Sequence, residues 1–87
     1  MARVVMYSTR TCPHCRMAER ILQRRAVAVE YVHVDAQPEL RIEMKRITGR
    51  TSVPQIFING QHVGGHLELA ELDRNGKLDA LLQVPAA

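Results

Sequence analysis

The sequence predicts an α/β fold, a four-stranded mixed sheet flanked by helices in the order β-α-β-α-β-β-α. Three observations support this. Stretches rich in β-branched residues alternate with amphipathic helical patterns, a hairpin turn occurs near residue 60, and 87 residues suffice for one core. A helix connects the first two strands, and such crossovers are right-handed, so these strands should be parallel. We expect a single domain over residues 1–87.

The first half of the chain is predicted to form a strand over residues 4–7, a helix, and a second strand over residues 29–34. Within the helix, an apolar face lies opposite a charged face. The apolar residues are Met17, Ala18, Ile21 and Leu22, and the charged ones are Arg16, Glu19, Arg20 and Arg24. The second helix should begin at Pro38 and end at Gly49, with an inner face formed by Leu40, Met44 and Ile47.

The second half is predicted to form a hairpin followed by a helix. Residues 55–58 form the third strand, Asn59-Gly60 the turn, and residues 61–63 the returning strand, because both turn residues tolerate positive φ. The third helix spans about residues 66–74, and residues 77–82 form a short final helical turn.

The composition indicates an ordinary globular domain with a basic surface. The net charge is +3, the pI is about 9.3, and ten of the twelve basic residues are arginine. These arginines are scattered along the chain, and the aromatics that would stack on bases are few, so we expect no nucleic-acid partner. The sequence contains neither a stretch of about 20 apolar residues nor a signal peptide, which predicts a cytoplasmic protein that does not associate with membranes.

Two cysteines form the motif Cys12-Pro13-His14-Cys15 between the first strand and the first helix. Pro13 suits the first helical position, which makes Cys12 the N-cap, with its sulfur facing the free N–H groups and the positive end of the helix dipole. Such a position favours a thiolate, and the flanking Arg10 and Arg16 add positive charge. A C-x-x-C motif between a strand and a helix indicates a thioredoxin-like redox site, with Cys15 one turn away to close a disulfide.

Other features near this motif are less specific. Pro54 lacks an N–H for strand pairing, so it should open the third strand, and a cis Val53-Pro54 bond is one way to place it there. Gly64-Gly65 before a helix would allow the backbone of a ligand to approach closely. His62 and His66 together with the two cysteines resemble a zinc ligand set, but 46 residues separate the pairs, and we do not expect a metal.

At this point the motifs resemble those of a family, the dithiol glutaredoxins, and most closely the bacterial class-3 type. The resemblance covers nearly all of residues 4–82 and rests on an ordered set of motifs. These are Tyr7-Ser8-x-x-Thr11-Cys12-Pro13-His14-Cys15, Thr48-Gly49-Arg50-Thr51-Ser52-Val53-Pro54-Gln55-Ile56-Phe57-Ile58, Val63-Gly64-Gly65 and Leu72-Asp73-Arg74-x-Gly76-x-Leu78. The resemblance implies a thioredoxin-like fold and a cis Pro54.

The resemblance also implies a glutathione-dependent thiol–disulfide oxidoreductase. In this chemistry Cys12 attacks a protein disulfide or a glutathionylated protein, and Cys15 resolves the mixed disulfide. Glutathione is then the co-substrate, with no bound cofactor, and glutathione reductase regenerates it. Protein substrates are left open between ribonucleotide reductase, another reductase and glutathionylated proteins generally. The protein is expected to be a monomer.

The resemblance implies a glutathione site around the thiol. Val53 would pair its backbone with the glutathione cysteine, and Arg41 would contact the glycine carboxylate. The backbone after Gly65 and the acidic pair that follows it in the family would hold the γ-glutamyl end. The full set of expected substrate-binding residues is Arg10, Pro13, His14, Arg41, Ser52, Val53, Pro54, Gly65, His66, Leu67 and Glu68.

The chain departs from the family pattern in three places. His14 replaces a tyrosine or phenylalanine, and Thr9 replaces a lysine for which Arg10 is a displaced substitute. Leu67-Glu68 follows His66 where the family has a small polar or acidic residue and then aspartate, and Leu67 cannot hydrogen-bond a glutamyl group. This leaves two alternatives open: an electron donor reduced by thioredoxin reductase, and a metal or iron–sulfur carrier. Pro13 argues against the second, because family members that bind a cluster generally lack this proline.

Overall fold

The computed structural model describes residues 2–83, which form a four-stranded sheet with four helices. The elements follow in the order β1 (Val4–Ser8), α1 (Pro13–Gln23), β2 (Val29–His33), α2 (Pro38–Thr48), β3 (Gln55–Ile58), β4 (Gln61–Gly64), α3 (His66–Arg74) and α4 (Lys77–Gln83). The predicted order is confirmed. The predicted final helical segment, residues 77–82, is confirmed as α4, which extends one residue further to Gln83 and buries Leu78 and Leu82.

The sheet has the strand order β2-β1-β3-β4. β1 pairs parallel with β2 and antiparallel with β3, so Val4 lies opposite both Val29 and Ile58. β3 and β4 form the predicted hairpin, with Asn59 at φ 51° and Gly60 at φ 81°. Both residues therefore have the positive φ of a type I′ turn, which matches the twist of the strands. This topology places the carboxyl end of β1 beside the start of β3.

The main core lies between the sheet, α1, α3 and α4. It is built from Ala2, Val4, Met6, Ala18, Ile21, Leu22, Val27, Ile56, Ile58, Leu69, Leu78 and Leu82. Alternate residues of β1 supply it, because neighbouring side chains of a strand point to opposite faces. Met44 of α2 is fully buried but lies outside this cluster.

Two predicted core positions are exposed. Met17 of α1 is 46% exposed and Ile47 of α2 is 39% exposed, although the helical periodicity placed both on inner faces. Each lies at the margin of its apolar stripe, where only the packing of neighbouring elements determines whether it is covered. The α2 stripe is the narrower one, because Met44 alone among its residues is buried.

Candidate active site

Cys12 is the N-cap of α1, as predicted, with extended backbone angles of φ −86° and ψ 118° and Pro13 following it in the first turn. Its sulfur makes no capping hydrogen bond to the helix. Instead, the thiol faces the neighbouring loop, where its Sγ lies 3.8 Å from the carbonyl oxygen of Val53 and donates to it. The Cys12 thiol is therefore held between the start of α1 and the loop before β3, where it is half-buried.

Cys15 has a different environment one turn along α1. Its side chain is only 5% exposed, and both cysteines are free thiols. Burial is the main factor that raises the pKa of the Cys15 thiol to about 11, against an opposing hydrogen bond to the backbone of Thr9. Hydrogen bonding to Cys12 and the charges of Cys12 and Asp35 raise it further. The two cysteines thus differ sharply in access to solvent.

The loop before β3 contains a cis Val53-Pro54 peptide bond, as the family resemblance implied. Its conformation is supported by Gln55, which is fully buried. The Gln55 side-chain amide donates to the Ser52 carbonyl oxygen at 3.0 Å, and its Oε1 lies 2.7 Å from Nε2 of His62. Burial lowers the pKa of His62, which favours the neutral ring, and the tautomer that carries its proton on Nε2 donates to Gln55 Oε1.

A cavity of about 180 Å³ opens beside this loop. It brings together eight of the predicted substrate-binding residues, namely His14, Ser52, Val53, Pro54, Gly65, His66, Leu67 and Glu68, together with Arg50. The rings of His14 and His66 lie 5.7 Å apart, each in the first turn of its helix. Leu67 is 72% exposed, so it presents an apolar surface at the edge of the cavity.

The Glu68 carboxylate makes two hydrogen bonds within the protein. Its Oε1 accepts a hydrogen bond of 2.7 Å from the backbone N–H of Gly65 and one of 2.6 Å from Nη1 of Arg50. These bonds lower the pKa of the Glu68 carboxyl. The first bond places Glu68 as the N3 partner of a capping arrangement at the start of α3. Gly64 makes room for it, because a Cβ there would lie 2.5 Å from Glu68 Oε1.

Arg50 is a cavity residue to which the sequence assigned no role. It follows Gly49, the left-handed cap of α2, and reaches across to α3. The spacing Gly65-x-x-Glu68 is a recognisable helix-start signal for Glu68, but nothing local links Arg50 to it across 18 residues. This contact exists only in the folded chain.

Three predicted binding residues lie outside the cavity lining, namely Arg10, Pro13 and Arg41. Arg10 donates through its backbone and its Nε to Asp35, each at 3.4 Å. Arg41 donates to the carbonyl oxygen of Thr51 at 3.2 Å and lines a separate cavity of about 640 Å³ beside α2. Pro13 is exposed at the start of α1. The structure therefore does not gather all expected contacts into one pocket.

Within residues 2–83, no group of three or more His, Cys, Asp or Glu side chains is placed to hold a metal ion. His62, one member of the zinc set considered above, is bonded to Gln55 and packed against Phe57, with ring centroids 5.0 Å apart. Over the same range, none of the helices combines the length and apolar character needed to cross a bilayer.

A thioredoxin-like sheet with an N-cap cysteine, a buried partner one turn later and a cis proline opposite defines a class of protein, the thiol–disulfide oxidoreductases. Comparison with known proteins narrows this class. The glutaredoxin family model matches residues 4–63. A glutaredoxin of Pseudomonas aeruginosa is 50% identical over 82 residues, which cover 94% of this chain and 98% of that protein. The chain belongs to the glutaredoxin family.

Two further comparisons bear on the subtype and the fold. Glutaredoxin 3 of Escherichia coli is 43% identical over 83 residues, covering 95% of this chain and all of that protein, which agrees with the class-3 resemblance. The crystal structure of a buckwheat glutaredoxin–glutathione complex superposes with a TM-score of 0.87 at 25% identity, covering 93% of this chain and 76% of that one. The predicted thioredoxin-like fold and oxidoreductase class are thus confirmed.

Proposed function

We propose that this oxidoreductase depends on glutathione and reduces both protein disulfides and glutathione mixed disulfides through Cys12 and Cys15. The observation that carries the proposal is the position of the Cys12 thiol, which is half-exposed, lies at a helix N-terminus and points at the Val53 carbonyl. Support from outside the chain comes from the related buckwheat protein, whose structure is a complex with glutathione.

The proposed reaction on a glutathionylated protein is a pair of thiol exchanges. The Cys12 thiolate attacks the glutathione sulfur, the protein thiol leaves, and glutathione remains on Cys12 as a mixed disulfide. A second glutathione thiolate attacks that mixed disulfide, so the products are reduced Cys12 and oxidised glutathione. Two electrons pass from glutathione to the substrate, and glutathione reductase restores the glutathione pool.

On a protein disulfide the proposed reaction uses both cysteines. Cys12 attacks one substrate sulfur, and the other leaves as a thiol. Cys15 then loses its proton and attacks Cys12, which releases the second substrate thiol and leaves a Cys12–Cys15 disulfide. Because burial holds the Cys15 thiol protonated at neutral pH, the buried cysteine does not compete for the first attack.

The bound glutathione is proposed to lie along the cavity beside Cys12. The Val53 backbone would pair with its cysteine, and the N-terminus of α3 after Gly65 would hold its γ-glutamyl carboxylate. Ser52, Pro54, His14 and His66 would shape the walls. Arg41 would reach the glycine carboxylate from its anchor on Thr51, and Arg10 and Pro13 would contribute at the approach to Cys12.

A second candidate is an electron donor reduced by thioredoxin reductase. The observation that favours it is the γ-glutamyl end of the site, where Leu67 is apolar and the Glu68 carboxylate is already bound to Gly65 and Arg50. Loss of one charge-assisted hydrogen bond costs about 1.5–3 kcal/mol. This corresponds to roughly ten- to a hundredfold in affinity. For either reaction we propose a cytoplasmic monomer, since the cytoplasm is the compartment in which thiols are kept reduced.

A coupled assay tests the proposal. A small glutathione mixed disulfide is supplied with glutathione, glutathione reductase and NADPH, and wild type is compared with Cys12→Ser and Cys15→Ser. We expect activity to disappear in Cys12→Ser and to persist in Cys15→Ser. Absence of turnover in wild type, with turnover once thioredoxin reductase replaces glutathione and its reductase, would replace the first candidate with the second.

A further inference from the structure

A groove of about 530 Å³ runs along α1 beside α3, outside the cavity next to Cys12. Its lining consists of Met17, Arg20, Ile21, Gln23, Arg24 and His66. His66 also lines the cavity beside Cys12, so the two depressions meet at this side chain. We infer that this groove binds an acidic, extended segment of a protein substrate, adjoining the disulfide that Cys12 attacks.

The groove has an apolar floor. Ile21 is nearly covered, whereas Met17 is 46% exposed although it belongs to the apolar stripe of α1. An unbranched methionine adapts to irregular partners, and its exposure leaves apolar area that a bound chain would cover. The floor can therefore pack against one apolar side chain of the bound substrate segment.

The rim of the groove is basic. Arg20 and Arg24 both line it, four residues apart at the C-terminal end of α1, where like charges repel. Arg20 forms no ion pair with any of residues 2–83, and Arg24 is 3.7 Å from Asp73 with its side chain 70% exposed. None of the groove-lining residues is a carboxylate. An acidic segment supplies the missing counter-charges.

The basic residues on α2 fit such an occupant less well. Arg41 and Lys45 line the other large depression, but Asp35 shares that lining, and Arg41 already donates to Thr51. That depression is also outside the cavity beside Cys12, with which it shares no lining residue. Charge complementarity and continuity with the thiol site both favour the α1 groove.

Binding can be tested without any redox chemistry. Two five-residue peptides would be titrated into ¹⁵N-labelled protein, each beginning with serine in place of cysteine. One continues with glutamate, leucine and two glutamates, and the other has lysines at the glutamate positions. We expect the acidic peptide alone to shift the amide signals of Met17, Arg20, Ile21 and Arg24. Equal shifts with both peptides, no shifts, or shifts centred on Arg41 and Lys45 would overturn the inference.

The same peptides with cysteine, joined as symmetric disulfides, test the effect on reaction rate. Protein is reduced beforehand and freed of reductant, and then reduces the peptide disulfide stoichiometrically to two peptide thiols as Cys12 and Cys15 become oxidised. We expect the acidic peptide to react faster in low salt and the preference to shrink in high salt. In Arg20→Glu the preference should fall about fivefold, since exposed attractive charge pairs become repulsive ones.

Arg46→Glu is the matched control, because it makes the same charge change on α2 and removes only an exposed pair with Glu43. An equal loss of preference in both variants would overturn the proposed binding in the groove and indicate a general effect of net charge. The inference rests on the proposed role of Cys12, but its failure is distinguishable. If no peptide disulfide reacts, the proposed function fails, whereas the titration still decides whether the groove binds the acidic peptide.

Discussion

The two cysteines have the same side chain, but their surroundings in the fold differ. Cys12 lies at the helix N-terminus, where its thiol is partly exposed and contacts a backbone carbonyl. Cys15 lies on the buried face of the same helix. Desolvation disfavours a charged sulfur, so it suppresses the nucleophilicity of the buried thiol. The proposed division of labour, with Cys12 attacking and Cys15 resolving, is supported by this difference in burial.

The first prediction concerns the reactivity of Cys15. In Cys12→Ser, alkylation of Cys15 by iodoacetamide should be very slow near pH 7 and should rise with pH well past the usual range for a cysteine, towards 11. Burial, the largest cause of the raised pKa, remains in this variant. Mass spectrometry of samples quenched across pH 6–11 gives the profile. An inflection near pH 8.5 would contradict it.

The second prediction concerns Glu68. Because its pKa in the folded protein lies below the ordinary 4.5, its ionised form stabilises the fold above that pH, and the stabilisation is lost as pH falls through the folded pKa. The Glu68 side chain is 41% exposed, so after allowance for solvent screening the effect is below about 1 kcal/mol. Urea unfolding of wild type and Glu68→Gln should therefore differ at pH 7 and converge below pH 4. A constant difference across this range would show that the charge is irrelevant.

The third prediction concerns Leu67. Leu67→Asp restores an acidic residue in the first turn of α3, where a negative charge is favourable and where the family resemblance implies an acidic pair at the γ-glutamyl end. The KM for a small glutathione mixed disulfide should fall by up to about tenfold, from one added charge-assisted hydrogen bond. Leu67→Asn, which is polar but uncharged, is the control and should give a smaller change. An unchanged KM in both would remove Leu67 from the binding site.

At the scale of elements, the start of α3 depends on a close fit between β4 and the helix. Gly64 has a φ of 124°, and a Cβ on it would also lie 2.9 Å from Cγ of Glu68. The Glu68 side chain folds back over this glycine to reach the Gly65 N–H. The Gly-Gly pair was expected to admit a ligand backbone, but in this structure the first glycine admits a side chain of the protein itself.

The fourth prediction separates the two roles of Gly64. Gly64→Ala should destabilise the protein by about 1–2 kcal/mol through its positive φ. Crowding against Glu68 should add about 1–3 kcal/mol. Gly60→Ala is the control for φ alone, since nothing lies within 4 Å of a Cβ there. The measurement is urea unfolding of both variants, alone and combined with Glu68→Ala. If Glu68→Ala does not reduce the cost of Gly64→Ala, the crowding is not the cause.

Elements that depend on interactions between residues close in sequence could be predicted, whereas features that depend on tertiary packing could not. The Cys12 N-cap before Pro13, the Asn59-Gly60 turn and the bounds of α3 obey local rules of capping and φ, and all three predictions were confirmed. The exposure of Met17 and Ile47 was not predictable from periodicity, because it depends on which neighbouring element covers the edge of a stripe.

The candidate site divides in the same way. The C-x-x-C motif and the residues around Pro54 stand out in the sequence, since they occur at diagnostic spacing. The link from Arg50 to Glu68 and the anchoring of Arg41 on Thr51 do not, because exposed charged side chains have many partners within reach until the fold is complete. The family resemblance supplied positions for these residues but not their contacts.

At the scale of the whole molecule, the contacts that hold the helices together differ between the end near Cys12 and the opposite end. Near Cys12, helices α1 and α3 present their N-termini to the cavity. At the far end, Arg25 after α1 bonds to Asp73 at the end of α3 and, at 3.0 Å, to Asp79 in α4. Ala2 also donates its N–H to the carbonyl oxygen of Leu82 at 3.2 Å. Polar contacts therefore tie α4 to the rest of the molecule away from the thiols.

The last prediction tests whether this far anchor is energetically separate from the active site. Arg25→Met keeps much of the side-chain volume but removes its bonds to both carboxylates, and Asp73 is only 21% exposed on its side chain. We expect the free energy of unfolding to fall, because a partly buried carboxylate loses its strongest partner and, within residues 2–83, retains only the longer pair with Arg24. Hydrogen exchange should quicken in α4 before it quickens in β1 or β3, since short terminal helices open at low free energy. The kcat/KM for a small glutathione mixed disulfide should stay within about twofold, because surface changes remote from a site leave its geometry intact. A tenfold loss of kcat/KM with unchanged exchange in α4 would show instead that Arg25 acts on the thiol site through α1.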